Sequence, residues 1–400
     1  MARTAPKPPP AQALPAGLAQ KAAAVAKLVE RLRADLALAH DLAHQAQVRE
    51  ALTRTELTLA LTAALKGRAE VEAAARHDGL ARLAGRARAV PAPPGRNWQR
   101  LLLRAGSAGE ARLISDSGVW RGEDRGEIAA YARRKIDPAA VPAALFDQAF
   151  YLAAYPETAA FGRSPLLHYL VRGAAADARP HPMFDPVHYR GGGAADLGGA
   201  TPLAHFLHRG AWQGRDPHPL FDLAHYAGQR PELAVGEDPV SHYLRQGWRD
   251  GLSPHPLFDP AWYLAQSPQA ADVPPLLHYA TAGWREGLSP HPLFEPRWYL
   301  TQYEDIAVAG FEPLAHFLGG GAAEGRSPGP WFDVRHYVAA RGEGLGPGVN
   351  PLVDYLRGGA WAVAEARPGF PTAAYLAQSP ELVAMGMTPL EHWARKAAAL

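Results

Sequence analysis

Two short motifs recur in step through the last 255 residues of this 400-residue chain. A Phe-Asp pair or close variant starts at Phe146, Phe184, Phe221, Phe258, Phe294, Phe332 and Phe370, at spacings of 38, 37, 37, 36, 38 and 38. A Pro-Leu or Pro-Val pair starts at Pro165, Pro202, Pro239, Pro275, Pro313, Pro351 and Pro389, at 37, 37, 36, 38, 38 and 38. Two independent anchors that keep one period define seven copies of a single unit. A period of this length specifies a stack of supersecondary pieces, because each piece can cover its apolar face only against its neighbour.

Local physics builds the unit. In Phe258-Asp259-Pro260-Ala261-Trp262-Tyr263, Asp259 suits an N-cap and Pro260 the first helical position, where a missing N–H costs nothing. Phe258 then precedes the cap and Tyr263 falls one turn in, the two positions of a hydrophobic staple. The same spacing pairs Phe146 with Tyr151, Phe184 with Tyr189, Phe221 with Tyr226, Phe294 with Tyr299, Phe332 with Tyr337 and Phe370 with Tyr375. The cap is Asp147, Asp185, Asp222, Asp259 and Asp333 in five units, Glu295 in the fifth unit and Pro371 in the last, which predicts a less sharp start there.

A second helix opens at the conserved-in-step proline. Ser164, Thr201, Asp238, Asn350 and Thr388 are placed to cap it, and Pro274 and Glu312 are poorer choices. It is expected to run to Gly173, Gly210, Gly247, Gly283, Gly321 and Gly359, where a left-handed glycine would end it. Gly191 to Gly193 and Gly342 to Gly348 replace the middle turn in units two and six. Helices this short are marginal alone and must be held by neighbours. The expectation is an all-α, solenoid-like array of seven repeats over 146–400.

Before the array, 1–16 reads as a disordered Pro/Ala-rich tail, 17–90 as a helical or coiled-coil segment, and 91–145 as a linker and adaptor that caps the array. Leu18, Ala22, Val25, Val29, Leu32, Leu36, Ala39 and Ala43 keep a 3-4 spacing, and Val48, Leu52 and Leu59 with Leu57, Leu61 and Leu65 continue in a shifted register. This suits an antiparallel helical hairpin or an imperfect coiled coil, frayed after Gly67 and Gly79. The stripe serves either self-association through 17–65 or packing on its own chain. Within the adaptor, Ala111 to Trp120 has a strand-like core of Leu113, Ile114 and Val119, and Glu127 to Lys135 looks helical.

Composition narrows the function. The absence of cysteine excludes disulfides, thiolate metal sites and cysteine nucleophiles. The net charge of +2 joins a basic segment, +8 over residues 1–100, to an acidic array, −7 over 146–400, so nucleic acid is not an expected partner. No apolar run reaches signal-peptide or membrane-span length, which makes a cytoplasmic protein the expectation and leaves signal-independent export open.

The pattern FDxxxYL, then PE, then PLxHYL, then G with EGR and P, resembles the tandem repeats found beside glycosyltransferases of bacterial cell-surface polysaccharide synthesis. In such proteins the transferase chemistry sits in a separate α/β domain, and no Gly-rich strand-to-helix loop or DxD-type aspartate pair stands in this sequence. The resemblance implies a non-catalytic scaffold or binding module for surface polysaccharide or for a glycosyltransferase or other protein partner. The alternative is a glycosyltransferase component that acts with a catalytic partner. Neither reading requires a cofactor.

Two ladders of side chains are candidate sites. His168, His205, His242, His278, His316 and His392 recur at one position of the second helix, with Asp354 in unit six, and His181, His218, His255 and His291 recur in the Pro-His-Pro link. Metal ligands must converge from several directions, so these histidines read as structural anchors that fix a neighbouring carbonyl or cap a helix. Trp212, Trp248, Trp284 and Trp361 follow the helix-ending glycine, with Arg249 and Arg285 beside two of them. They suit either a groove where sugar rings stack on indoles and guanidiniums bond hydroxyls, or plugs in the seam between units.

Overall fold

The computed structural model describes residues 16–91, 95–120, 125–134, 140–143, 145–191, 197–361, 365–370, 372–379, 381–385 and 387–398. The tail before residue 16, Gly192, Gly193, Pro371 and the side chains of Leu18, Ala22, Leu57, Leu61 and Trp361 lie outside what it describes. The protein is all-α, and the only extended pairing among the described residues is a few isolated bridges. Packing divides it into two compact units, 1–60 and 61–400.

Residues Ala16–Ala84 form one continuous helix, α1, so the expected hairpin turn is not there. In the first unit its described side chains are all exposed from residue 20 onward. In the second unit α1 lies along the array. Gly79 does not fray the helix: it is buried, and a Cβ there would overlap the backbone of Ala227 and Gly228. Leu65 joins Leu376 and Leu382 in a small core of its own.

The described part of the adaptor holds three helices: α2 (Arg96–Arg104), α3 (Ser107–Asp116) and α4 (Arg125–Arg134). The strand expected near Leu113 and Ile114 is part of α3, because Glu110, Leu113 and Ile114 fall at i, i+3 and i+4 and are buried together. Glu110 is held there by Arg163 of the first repeat. Helix α4 is half a repeat. Tyr131 stands 15 residues before Phe146, as Tyr169 stands before Phe184 and Tyr243 before Phe258. Its hydroxyl meets the N–H of Leu166 at 3.4 Å, as Tyr243 meets Leu276 at 3.2 Å and Tyr355 meets Leu390 at 3.3 Å.

Each repeat is a short first helix, a turn and a second helix, as in Pro260–Gln266 and Pro275–His278. The staple forms in all seven, with Phe and Tyr ring centroids 5.0 to 5.6 Å apart. The backbone then closes the unit on itself. The N–H of the cap residue donates to the carbonyl of the exit link, Asp147 to Pro180, Asp185 to Pro217, Asp222 to Pro254, Asp259 to Pro290, Glu295 to Pro328 and Asp333 to Ala366. Start and end of a unit therefore meet, and the next unit begins beside the last.

The second helix does not end at its glycine. In units two to five the chain runs on through a wider π-helical turn, as in Tyr243–Gly247, with the glycine itself right-handed. The left-handed residue comes later, at Gly214, Gly251, Gly287 and Gly325, and at Asp177 in unit one. The first glycine serves a different need: a Cβ at Gly173, Gly210, Gly247, Gly283, Gly321 or Gly359 would overlap the stapled tyrosine's hydroxyl. Glu312, a poor cap on sequence grounds, caps well, accepting from the N–H groups of Leu314 and Ala315 at 2.9 and 2.6 Å.

Candidate binding cleft

The repeated polar residues are spent on the frame. Asp147, Asp185, Asp222, Asp259 and Asp333 each accept a backbone N–H in the first turn of their helix. His168, His205, His242, His278, His316 and His392 each place Nδ1 2.6 to 3.0 Å from a stapled tyrosine hydroxyl, where a backbone partner had been expected. Asp354 takes the same hydroxyl, from Tyr337, in unit six. Burial pushes Tyr226 and its equivalents up and His168, His205, His242 and His316 down, so both partners stay neutral. In the link, His181, His218, His255 and His291 are buried and accept the N–H two residues on. Among the described residues no group of three or more His, Asp or Glu is placed to hold a metal ion.

Trp212, Trp248 and Trp284 lie deep. Trp212 is 1% exposed and donates Nε1–H to the Leu207 carbonyl at 3.1 Å. Trp248 and Trp284 are buried, and the guanidiniums of Arg249 and Arg285 lie 4.2 Å over their rings. Those indole faces are occupied by the chain's own cations. Trp212 also lines a cavity of about 680 Å³ with Arg88, Trp120 and Glu237, and Arg285 lines a second, open cleft.

That cleft, about 730 Å³, lies between units one and two on one side and units four and five on the other. Phe150, Arg179, Asp185, Arg285, Phe311 and Glu312 line it. Phe311 is 57% exposed, with its ring stacked beside His316 at a centroid distance of 6.3 Å. Glu312, pushed up to about 7 by burial, accepts the Tyr279 hydroxyl at 2.7 Å. Arg179 donates to the Pro182 carbonyl and faces His218 Nε2, while Arg285 donates to the Thr281 carbonyl.

The cleft breaks a pattern that holds further along. Arg357 of unit six bonds Asp222 of unit three, and Arg395 of unit seven bonds Asp259 of unit four. Both arginines stand six residues after the proline that opens their second helix. Units six and seven are thus each tied to the third unit back by the same pair of positions. In unit three, Arg76 of α1 joins the same Asp222 oxygen at 2.8 Å. Burial opposes ionisation of Asp222, but the two guanidiniums outweigh it and hold the carboxyl well below its usual range. In units four and five that position is Thr281 and Gly319. Both line the cleft, and Asp185 faces it without a bonded guanidinium among the described residues.

Sequence reasoning missed Phe150, Arg179, Asp185, Phe311, Glu312 and Gly319 as a group. The signal was present as variation inside a constant frame: Val171, His208, Arg245, Thr281, Gly319, Arg357 and Arg395 at one repeat position. No described helix is long and apolar enough to cross a membrane. The chain matches no family model, and no curated protein or solved structure shows significant similarity to it.

Proposed function

We propose that this chain is a non-catalytic helical-repeat binding module associated with bacterial cell-surface polysaccharide, and that it holds glycan in the cleft between units one, two, four and five. The observation that carries the reading is the cleft's lining: an exposed Phe311 ring beside the charged side chains of Arg285 and Asp185. Sugars present apolar ring faces that pack on aromatic side chains and hydroxyls that bond to guanidinium and carboxylate groups. Its volume lies within the roughly 300–1,000 Å³ usual for ligand sites. The shared cap, staple and tyrosine–histidine pairs leave the repeat frame with structural tasks, which favours binding over chemistry.

The exposed stripe on α1 supports a second element of the same reading, self-association through 17–65. Val25, Leu32 and Leu36 fall on that stripe and are all exposed. Affinity electrophoresis of the full chain in gels containing surface polysaccharide from the source organism tests the glycan reading. Retardation that Phe311→Ala with Arg285→Ala weakens at least about tenfold, a loss of about 1.4 kcal/mol, is expected. Unretarded migration of the unaltered chain would reject it, and turnover of a sugar nucleotide by the purified chain would replace it with the catalytic alternative.

A further inference from the structure

The cleft is more than a gap between units. At two successive places in the array, the carboxylate that caps a first helix receives a guanidinium from the unit three further on, Arg357 on Asp222 and Arg395 on Asp259. The next ring residue along completes the seat: Arg395 also lies over the Trp262 ring, 5.7 Å from its centroid. One unit back from Asp222, the same carboxylate is Asp185 and the residue that should reach it is Gly319. Nothing lies within 4 Å of where a Cβ on Gly319 would stand, so the volume of the absent side chain is open. The frame around Asp185 matches that of the filled places, with Oδ1 accepting from Val187 and His188 at 2.9 and 3.0 Å.

We propose that the ligand itself supplies the missing cation, a protonated primary amine of an amino sugar seated on Asp185. This rests on the glycan reading and narrows it to glycans that carry free amino groups. The neighbouring arginines do not exclude a further cation. Arg179 is bonded to Pro182 and His218, and Arg285 lies over Trp284. Moreover, Asp222 shows that a carboxylate at this repeat position accepts two guanidiniums at once. A charge-assisted bond inside a partly enclosed cleft discriminates well between an ammonium and an acetamido group, because the latter offers a single neutral N–H and leaves the carboxylate's charge uncompensated.

Calorimetric titration of the full chain with a glucosamine tetramer and its fully N-acetylated counterpart, at a pH where the amines are protonated, tests this. The free-amine tetramer is expected to bind at least about tenfold tighter. Asp185→Asn, which keeps a good capping side chain, should bring the two within about twofold while leaving the thermal melt in place. Gly319→Arg should fill the seat and abolish binding of both. Equal affinity for the two tetramers, or a preference that survives Asp185→Asn, overturns the amine seat and leaves the glycan reading standing. If neither tetramer binds, retardation by the surface polysaccharide still decides the glycan reading, and arginine amide decides the seat alone. Saturable binding of that probe, lost in Asp185→Asn, supports it, and no binding overturns it.

Discussion

The hydroxyl of Tyr226 lies 2.7 Å from Nδ1 of His242, and Gly247 crosses so close above it that any side chain there would collide with the oxygen. Three residues from three parts of one repeat therefore fix each other: the stapled tyrosine, the second-helix histidine and the glycine of the π-turn. Tyr226→Phe removes the hydroxyl partner and strands a buried imidazole nitrogen, at about 1–2 kcal/mol. Gly247→Ala overpacks the same point and should cost about 2 kcal/mol or more. The double variant should be more stable than Gly247→Ala alone, because deleting the hydroxyl makes room for the methyl. Urea denaturation of the four proteins checks this, and strictly additive losses would show that the glycine is there for another reason.

Much of this frame was legible in the residues. The cap, the staple and the period follow from spacing alone, since Asp259, Pro260 and Tyr263 each have one low-cost place in a short helix. The tyrosine–histidine pair was not legible, because its members are 15 to 17 residues apart and nothing local orients them. The role of the first glycine is hidden from the sequence for the same reason: its constraint is a hydroxyl from another helix, not its own dihedral angle. Leu113, Ile114 and Val119 read as a strand core because they are β-branched or bulky, whereas the burial of Glu110 with Leu113 and Ile114 obeys a helical period and Val119 lies past the end of α3. The cleft depends on contacts between units three apart, which no short-range pattern encodes.

The buried link histidines predict acid sensitivity. Burial lowers His181 to about 4 and His255 to about 3, and holds His218 and His291 below their ordinary value as well. In the unfolded chain these groups take up protons near pH 6.5, so stability is fully present above that pH and is lost as the pH falls toward about 4. Asp216 and Glu312 act in the opposite sense, since burial raises both to about 7 and the folded state then holds the extra proton. More histidines than carboxyls are shifted, so net stability falls on acidification. A urea midpoint that stays level between pH 7 and pH 5 would contradict this balance, and His255→Asn should flatten the decline.

The lock on Asp222 should govern how firmly α1 and unit six hold unit three. Asp222→Asn retains the cap to the His225 N–H but removes the charge that both Arg76 and Arg357 face. Each charged hydrogen bond is worth roughly 1.5–3 kcal/mol, less the share that partly exposed arginines regain from water. Hydrogen exchange should quicken in residues 61–84 of α1 and in the second helix of unit six, while unit seven, tied through Arg395 to Asp259, keeps its protection. Uniform loss of protection across the array would mean that the lock is part of the global fold and not a local tie.

The long apolar stripe on α1 has a stronger claim to a partner than to solvent. Leu32 and Leu36 are 58% and 72% exposed, and Val25 and Val29 continue the same 3-4 spacing around them. Covering a side chain of this size gains about 1.5–3 kcal/mol, so four of them repay the cost of bringing two helices together. A scattered set of exposed leucines would need no explanation, but a heptad-spaced set is the seam of a coiled coil. Leu32→Asp with Leu36→Asp places two charges on that seam from each chain. Light scattering across a concentration series should then report the mass of a single chain, where the unaltered protein reports a multiple of it. The array should be untouched, because its repeats make their own contacts, so the urea midpoint read from tryptophan fluorescence should stay the same. A single-chain mass for the unaltered protein at all concentrations would remove self-association and return the stripe to solvent.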